Sequence, residues 1–112
     1  MKTLQETFNI VKSHLLKQNK RCAEDDVCLY RNDEGLKCAV GALINDDEYR
    51  SEHNELGLHT GLVKNMLTAS GVSTDRESMD LMHDLQSTHD QIEPEKWEAG
   101  LKLTAVKYNL NY

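Results

Sequence analysis

Apolar residues recur along this chain at helical spacing in four separate stretches. Leu4, Phe8, Val11 and Leu15 fall every three or four positions and predict a helix from about Leu4 to Asn19. Thr3 and Glu6 form a capping box at its start, the hydroxyl accepting from a backbone N–H while the acid reaches back. Leu58, Leu62, Met66 and Ala69 predict a second long helix from about Leu58 to Ser70, closed by Gly71 with Val72 as its apolar contact. Met79 (or Met82), Leu85 and His89 predict a third over Asp75–Asp90, opened by a Thr74-x-x-Glu77 box. Pro94 suits the first turn of a last helix, with Trp97, Leu101, Ala105 and Tyr108 on its inner stripe. Asn45-x-x-Glu48 predicts a short capped turn followed by an acidic loop.

The period changes between the first two helices. "CLYRNDEGLKCAV" reads as a β-hairpin, with Asp33-Glu34 in the turn and Gly35 supplying the left-handed residue after it. In that register Asn32 faces Leu36 and Tyr30 faces Cys38, and Cys28, Tyr30, Leu36 and Cys38 share one face. "CAVGALI" reads equally as a buried helical segment starting near Cys38, because periodicity does not separate the two in so short a run. The expected architecture is mainly α with a small β-hairpin (α+β): about four main helices packed around one two-stranded hairpin, in a single domain spanning 1–112.

Composition narrows the function classes. A chain of 112 residues has room for one modest core. Its 38% apolar and 29% charged residues fit a globular protein. No apolar run approaches membrane-spanning length, and Glu6 and Asn9 interrupt any signal-peptide core, so the expected place is the cytoplasm. The net charge of −6 argues against sequence-independent binding to nucleic-acid backbone. The acids are spread from Glu6 to Glu98 among 13 basic residues, as on a solvated surface, or as on a face that meets a basic partner. An odd number of cysteines, Cys22, Cys28 and Cys38, predicts reduced thiols.

Three constellations carry possible chemistry. Cys38 as a nucleophile would need a base such as His89, oriented by Asp90 or Asp46; as a structural residue it would be a small thiol packed beside Tyr30. A zinc site from Cys22, Cys28, Cys38 and a histidine has five and nine intervening residues, unlike knuckles whose ligand pairs lie two to four apart. "LMHDLQSTHD" holds His83-Asp84 and His89-Asp90, the kind of pair used by all-helical metal-dependent phosphohydrolases. The pairs are six residues apart on one helix and so point to opposite sides. No Gly-rich phosphate loop or Ser/His/Asp order is present.

"YRNDEGLKCAVGALINDDEY" and "DLQSTHDQIEPEKW" resemble small proteins encoded by bacteriophages and bacteria. The shared pattern covers Tyr30-Arg31, Gly35 to Gly41, Leu43-Ile44, Asp46-Asp47, Tyr49, Leu85-Gln86, His89-Asp90 and Trp97, with Asn45 where the pattern expects proline. The resemblance implies a phage-type accessory protein and no particular activity. The favoured expectation is a non-catalytic binding or inhibitory module that docks on a host or defence protein, without cofactor or metal. Its candidate binding residues are Tyr30, Arg31, Asp46, Asp47, Tyr49 and Glu55. The alternative is a small hydrolase or transferase using Cys38 with His89 and Asp90, or a His-Asp metal site. In the favoured case Cys38 is desolvated and structural, and His89 points inward to a backbone carbonyl or Tyr30.

Overall fold

A computed structural model describes every residue except 25 and 26, with Glu24 described in its backbone alone. Four α-helices are present among the described residues: α1 (Leu4–Gln18), α2 (Gly61–Ala69), α3 (Arg76–Gln91) and α4 (Trp97–Lys107). None is long and apolar enough to cross a membrane.

α1 forms as its pattern predicts. The Thr3 hydroxyl accepts from Glu6 N–H, the Glu6 carboxylate accepts from Thr3 N–H at 2.9 Å, and Asn19 ends the helix in a left-handed conformation. Phe8, Val11 and Leu15 are buried. α3 buries Met79, Met82, Leu85 and His89 together, but its cap is Asp75, whose carboxylate accepts from Ser78 N–H at 2.8 Å, and not Thr74. Pro94 opens a single 3-10 turn, Pro94–Lys96, that leads into α4. Trp97, Leu101 and Ala105 form the buried stripe of α4, and Gly100 lets it lie close to Thr88 and Ile92.

α2 departs from the expected stripe. It starts at Gly61 because Thr60 caps it, so Leu58 lies ahead of the helix and Leu62 is 51% exposed. Val63, Met66 and Leu67 are the residues it buries. Its end is as read: Gly71 takes a positive φ and Val72, fully buried, donates back to Leu67 O.

The expected two-stranded hairpin over 28–40 does not form. One bridge, Arg31 to Lys37, remains of it, together with the bonds Asn32 N–H to Leu36 O and Cys38 N–H to Tyr30 O. The ladder stops there because the next ladder groups turn elsewhere: Leu36 N–H goes to the Asn32 side chain and Cys38 C=O accepts from Ala42 N–H as the chain coils. Arg31 and Lys37, the non-hydrogen-bonded pair of the bridge, point their backbone groups outward, where Arg31 N–H goes to the Asn54 side chain and Lys37 N–H and C=O both go to the Gln18 amide at the end of α1. The sole ladder among the described residues lies earlier, between β1 (Ala23–Glu24) and β2 (Val27–Cys28), antiparallel and two residues long. The run after Cys38 coils, with Ala42 N–H on Cys38 O and a 3-10 turn at Gly41–Leu43.

That apolar run is laid against α1, and α1, α3 and α4 pack on one another around the core. Its closest approach is at Gly41, where an added Cβ would sit 1.9 Å from Tyr30 O. A methyl there must push two backbone segments apart. Gly41→Ala is expected to cost about 3 kcal/mol, because a crowded backbone contact does not relax as a side chain does. Gly35, at φ +82 with nothing within 4 Å of its missing Cβ, tests strain alone. Gly35→Val is expected to cost about 1–2 kcal/mol. Urea denaturation of both variants checks the order, and equal costs would show that the Gly41 contact is not tight.

Candidate functional site

α3 brings Gln86, His89 and Asp90 together by its i, i+3 and i+4 spacing. The His89 ring is fully buried and stacks on Trp97, with centroids 5.5 Å apart. Its Nε2 accepts from Cys22 N–H at 2.9 Å, which places the ring proton on Nδ1. Nδ1–H then donates to Asp90 Oδ1 at 2.7 Å. Gln86 Nε2 donates to the same oxygen at 2.8 Å, while Gln86 Oε1 accepts from Val40 N–H at 3.0 Å. One polar chain thus ties α3 to the segment before β1 and to the apolar run. His89 points inward as expected, but neither expected partner is used: Tyr30 OH donates to Leu56 O at 2.6 Å.

Cys38 is fully buried, and its Sγ accepts from Gly41 N–H at 3.2 Å. Burial pushes its thiol far above the ordinary range, more than the Gly41 hydrogen bond lowers it. The base that a nucleophilic Cys38 would need has both ring nitrogens engaged elsewhere. Cys22 Sγ donates to Leu36 O at 3.3 Å, and burial raises its pKa to about 11. Cys28 is half-buried, and burial, with Asp90 beside it, likewise raises its pKa to about 11. All three thiols are free. Cys22 and Cys38 are each spent on a backbone group, so the Cys22, Cys28, Cys38 and histidine zinc set does not assemble.

A different trio does converge. Cys28, His89 and Asp90 offer ligand atoms that all lie within 4.8 Å of one another. Metal ligation would need the lone pair of His89 Nδ1, and that nitrogen carries the proton given to Asp90. Moving the proton to Nε2 would set it against Cys22 N–H. The trio is therefore a hydrogen-bonded group and fits a metal poorly. The adjacency of His89 and Asp90 was visible in the sequence; Cys28 was not, because the β1–β2 ladder brings it there. Of the second pair, His83 borders the same cavity as Gln86 and Asp90, and Asp84 serves another surface. His83 is exposed, and Asp84 accepts from Tyr108 OH at 2.7 Å and Lys107 Nζ at 2.8 Å.

Four of the six candidate binding residues line two cavities, and Asp46 and Asp47 line neither of them. Tyr30 and Glu55 line one of about 580 Å³, with Cys28, Leu56, Leu58, Gln86 and Asp90; Cys38 lies in the same wall without exposed surface. Arg31 and Tyr49 line a smaller one of about 340 Å³, with Lys37 and Asn54. The Arg31 guanidinium lies 4.7 Å from the Tyr49 ring centroid, donates to Ile44 O, and bonds Asp46 at 2.8 Å. Arg31 is the main reason that the Asp46 carboxyl sits below the usual range, with Lys37 helping at 3.7 Å. Asp46 thus clips its loop to the turn, while Asp47 and Glu55 are exposed to solvent.

No family model, curated protein or solved structure matches this chain.

Two outcomes follow from this geometry. In native protein, iodoacetamide is expected to modify Cys28 slowly and to leave Cys22 and Cys38 untouched, whereas unfolding without reductant releases three reactive thiols. Peptide mapping checks this, and a native Cys38 that labels fastest contradicts it. The second outcome concerns acid. Burial raises the Asp90 carboxyl, but hydrogen bonds from His89, Cys28 and Gln86 outweigh it and hold the carboxyl below its ordinary value. A carboxyl lowered by folding adds stability above its unfolded pKa of about 3.9, and that stability is lost as pH falls through the folded value. Asp90→Asn is expected to lower stability at neutral pH and to flatten the fall below about pH 4. Melting curves across that range check it, and parallel profiles for the two proteins contradict it.

Proposed function

We propose that this chain is a small phage-type accessory protein acting as a non-catalytic binding or inhibitory module on a host or defence protein. The observation that carries the reading is the state of its most reactive residue types. The Cys38 thiol is sealed on Gly41 N–H, and both nitrogens of His89 are committed to Cys22 and Asp90. A nucleophile needs an accessible thiolate beside a base with a free lone pair. The Cys-His-Asp set named from the sequence instead holds the core together. What faces solvent is a surface with a net charge of −6 and cavities of mixed polar and apolar lining, suited to recognition.

The test is affinity capture from bacterial lysate with mass spectrometry, paired with a turnover screen on simple esters and phosphate esters with and without added divalent metal. The expected result is a specific partner that Cys38→Ala still captures despite its lower stability, and no turnover. Turnover that disappears in a folded Cys38→Ser or Asp90→Asn variant overturns the reading.

A further inference from the structure

One charged group in the larger cavity is only half answered. Asp90 is 33% exposed in the cavity wall. Both strong donors that reach it, His89 Nδ1–H and the Gln86 amide, bond the same oxygen, Oδ1. Among the described residues no N–H donates to Oδ2, and the neighbouring Cys28 thiol is a weak donor. A carboxylate in the wall of an open, partly apolar cavity, with one oxygen left without a strong donor, is a seat for a cation. Around it stand Leu29, Leu56 and Leu58, which would pack an aliphatic stem, and Glu55, which adds a second negative charge.

Resting on the binding reading, we infer that this cavity receives a lysine or arginine side chain of the partner protein. Its ammonium or guanidinium bonds Asp90 Oδ2, and its stem lies against Leu29, Leu56 and Leu58. The volume of about 580 Å³ is ample for such a side chain. The open mouth favours a side chain carried by a protein over a free amine. One anchoring charge gives a small amine few contacts, whereas a partner adds its flanking surface, for which Val27, 47% exposed, offers an apolar contact beside the cavity.

Cys28 is the reporter. It lines this cavity and is the one thiol of the three that is not fully buried. Three probes are compared for slowing its alkylation in mildly alkaline buffer, each at high concentration and matched ionic strength to offset the weak binding of a single anchor: the N-acetyl methylamides of lysine, arginine and norleucine. Lysine and arginine are expected to protect Cys28, less so as salt rises, and norleucine, which keeps the stem without the charge, is expected not to. Asp90→Asn should weaken protection about tenfold, the loss of one charge-assisted bond. Glu55→Gln, at an exposed position that carries no fold risk, should weaken it about twofold. Equal protection by norleucine, protection insensitive to salt and to Glu55→Gln, or no protection by any probe overturns the inference. Lysate capture separates the two claims: if no probe protects Cys28 but a specific partner is still captured, the cavity assignment falls and the binding reading stands, whereas loss of both removes the binding reading itself.

Discussion

The structure depends on how one buried imidazole is satisfied. His89 sits in the core against Trp97, where an unpaired ring nitrogen would cost about 1–3 kcal/mol. The fold answers each nitrogen with a different kind of group. Nε2 takes a backbone N–H from the segment ahead of β1, and Nδ1–H is given to the next residue along α3. Because Asp90 also holds Gln86, and Gln86 holds Val40 N–H, the arrangement reaches from α3 into two segments with little regular structure of their own. Arg21 adds to it by donating to His89 O and Ile92 O, the latter also accepting from Trp97 Nε1. A long irregular connection is thereby fixed to a rigid helix by polar bonds, where strand pairing would ordinarily do the work.

The same reasoning explains why the middle of the chain is irregular and still well packed. Between α1 and α2 lie some forty residues with a two-residue ladder, one bridge and two 3-10 turns. Their backbone groups are answered by side chains from elsewhere: Gln18 and His14 on Lys37, Gln86 on Val40, Asn54 on Arg31, Ser70 on Asn45. Each such side chain satisfies a backbone group that no strand partner reaches. Gly41 completes the arrangement by letting the apolar run lie directly on the Tyr30 backbone.

What could be read from the sequence follows from this division. α1, α3 and α4 were legible because local period and local caps agree with burial; Thr3, Pro94 and the stripes through Leu15, Leu85 and Leu101 all act within a few residues of one another. α2 was legible in existence and in its Gly71 end, but its buried face was misplaced, since Leu58 mimics the period of a helix that Thr60 starts later. The hairpin was misread because turn chemistry at Asn32 to Gly35 is real, and Gly35 does take a positive φ, while the pairing beyond it stops at one bridge, where Leu36 N–H turns to the Asn32 side chain and Cys38 C=O to Ala42 N–H of the coiling apolar run. The chemistry was legible in part. His89 and Asp90 could be named from their adjacency, but Cys28 joins them only through a ladder too short to announce itself.

The pairing of histidine with aspartate therefore takes two opposite meanings on one helix. His89-Asp90 faces inward, is closed by stacking and a backbone donor, and leaves Asp90 Oδ2 without an N–H donor among the described residues. His83-Asp84 faces outward, and there the acid is answered by Tyr108 and Lys107 of the last helix and the segment after it, fastening the end of α4 to the middle of α3. Residue types that catalysis favours are favoured by structure for the same physical reason: they can both give and accept a proton or hydrogen bond. What separates the two uses is whether a lone pair is left over. In this protein the imidazole has none left and the sealed thiol has none aimed at a base, so the capacity that remains belongs to a carboxylate oxygen, and a carboxylate oxygen left open to a cavity recognises a cation.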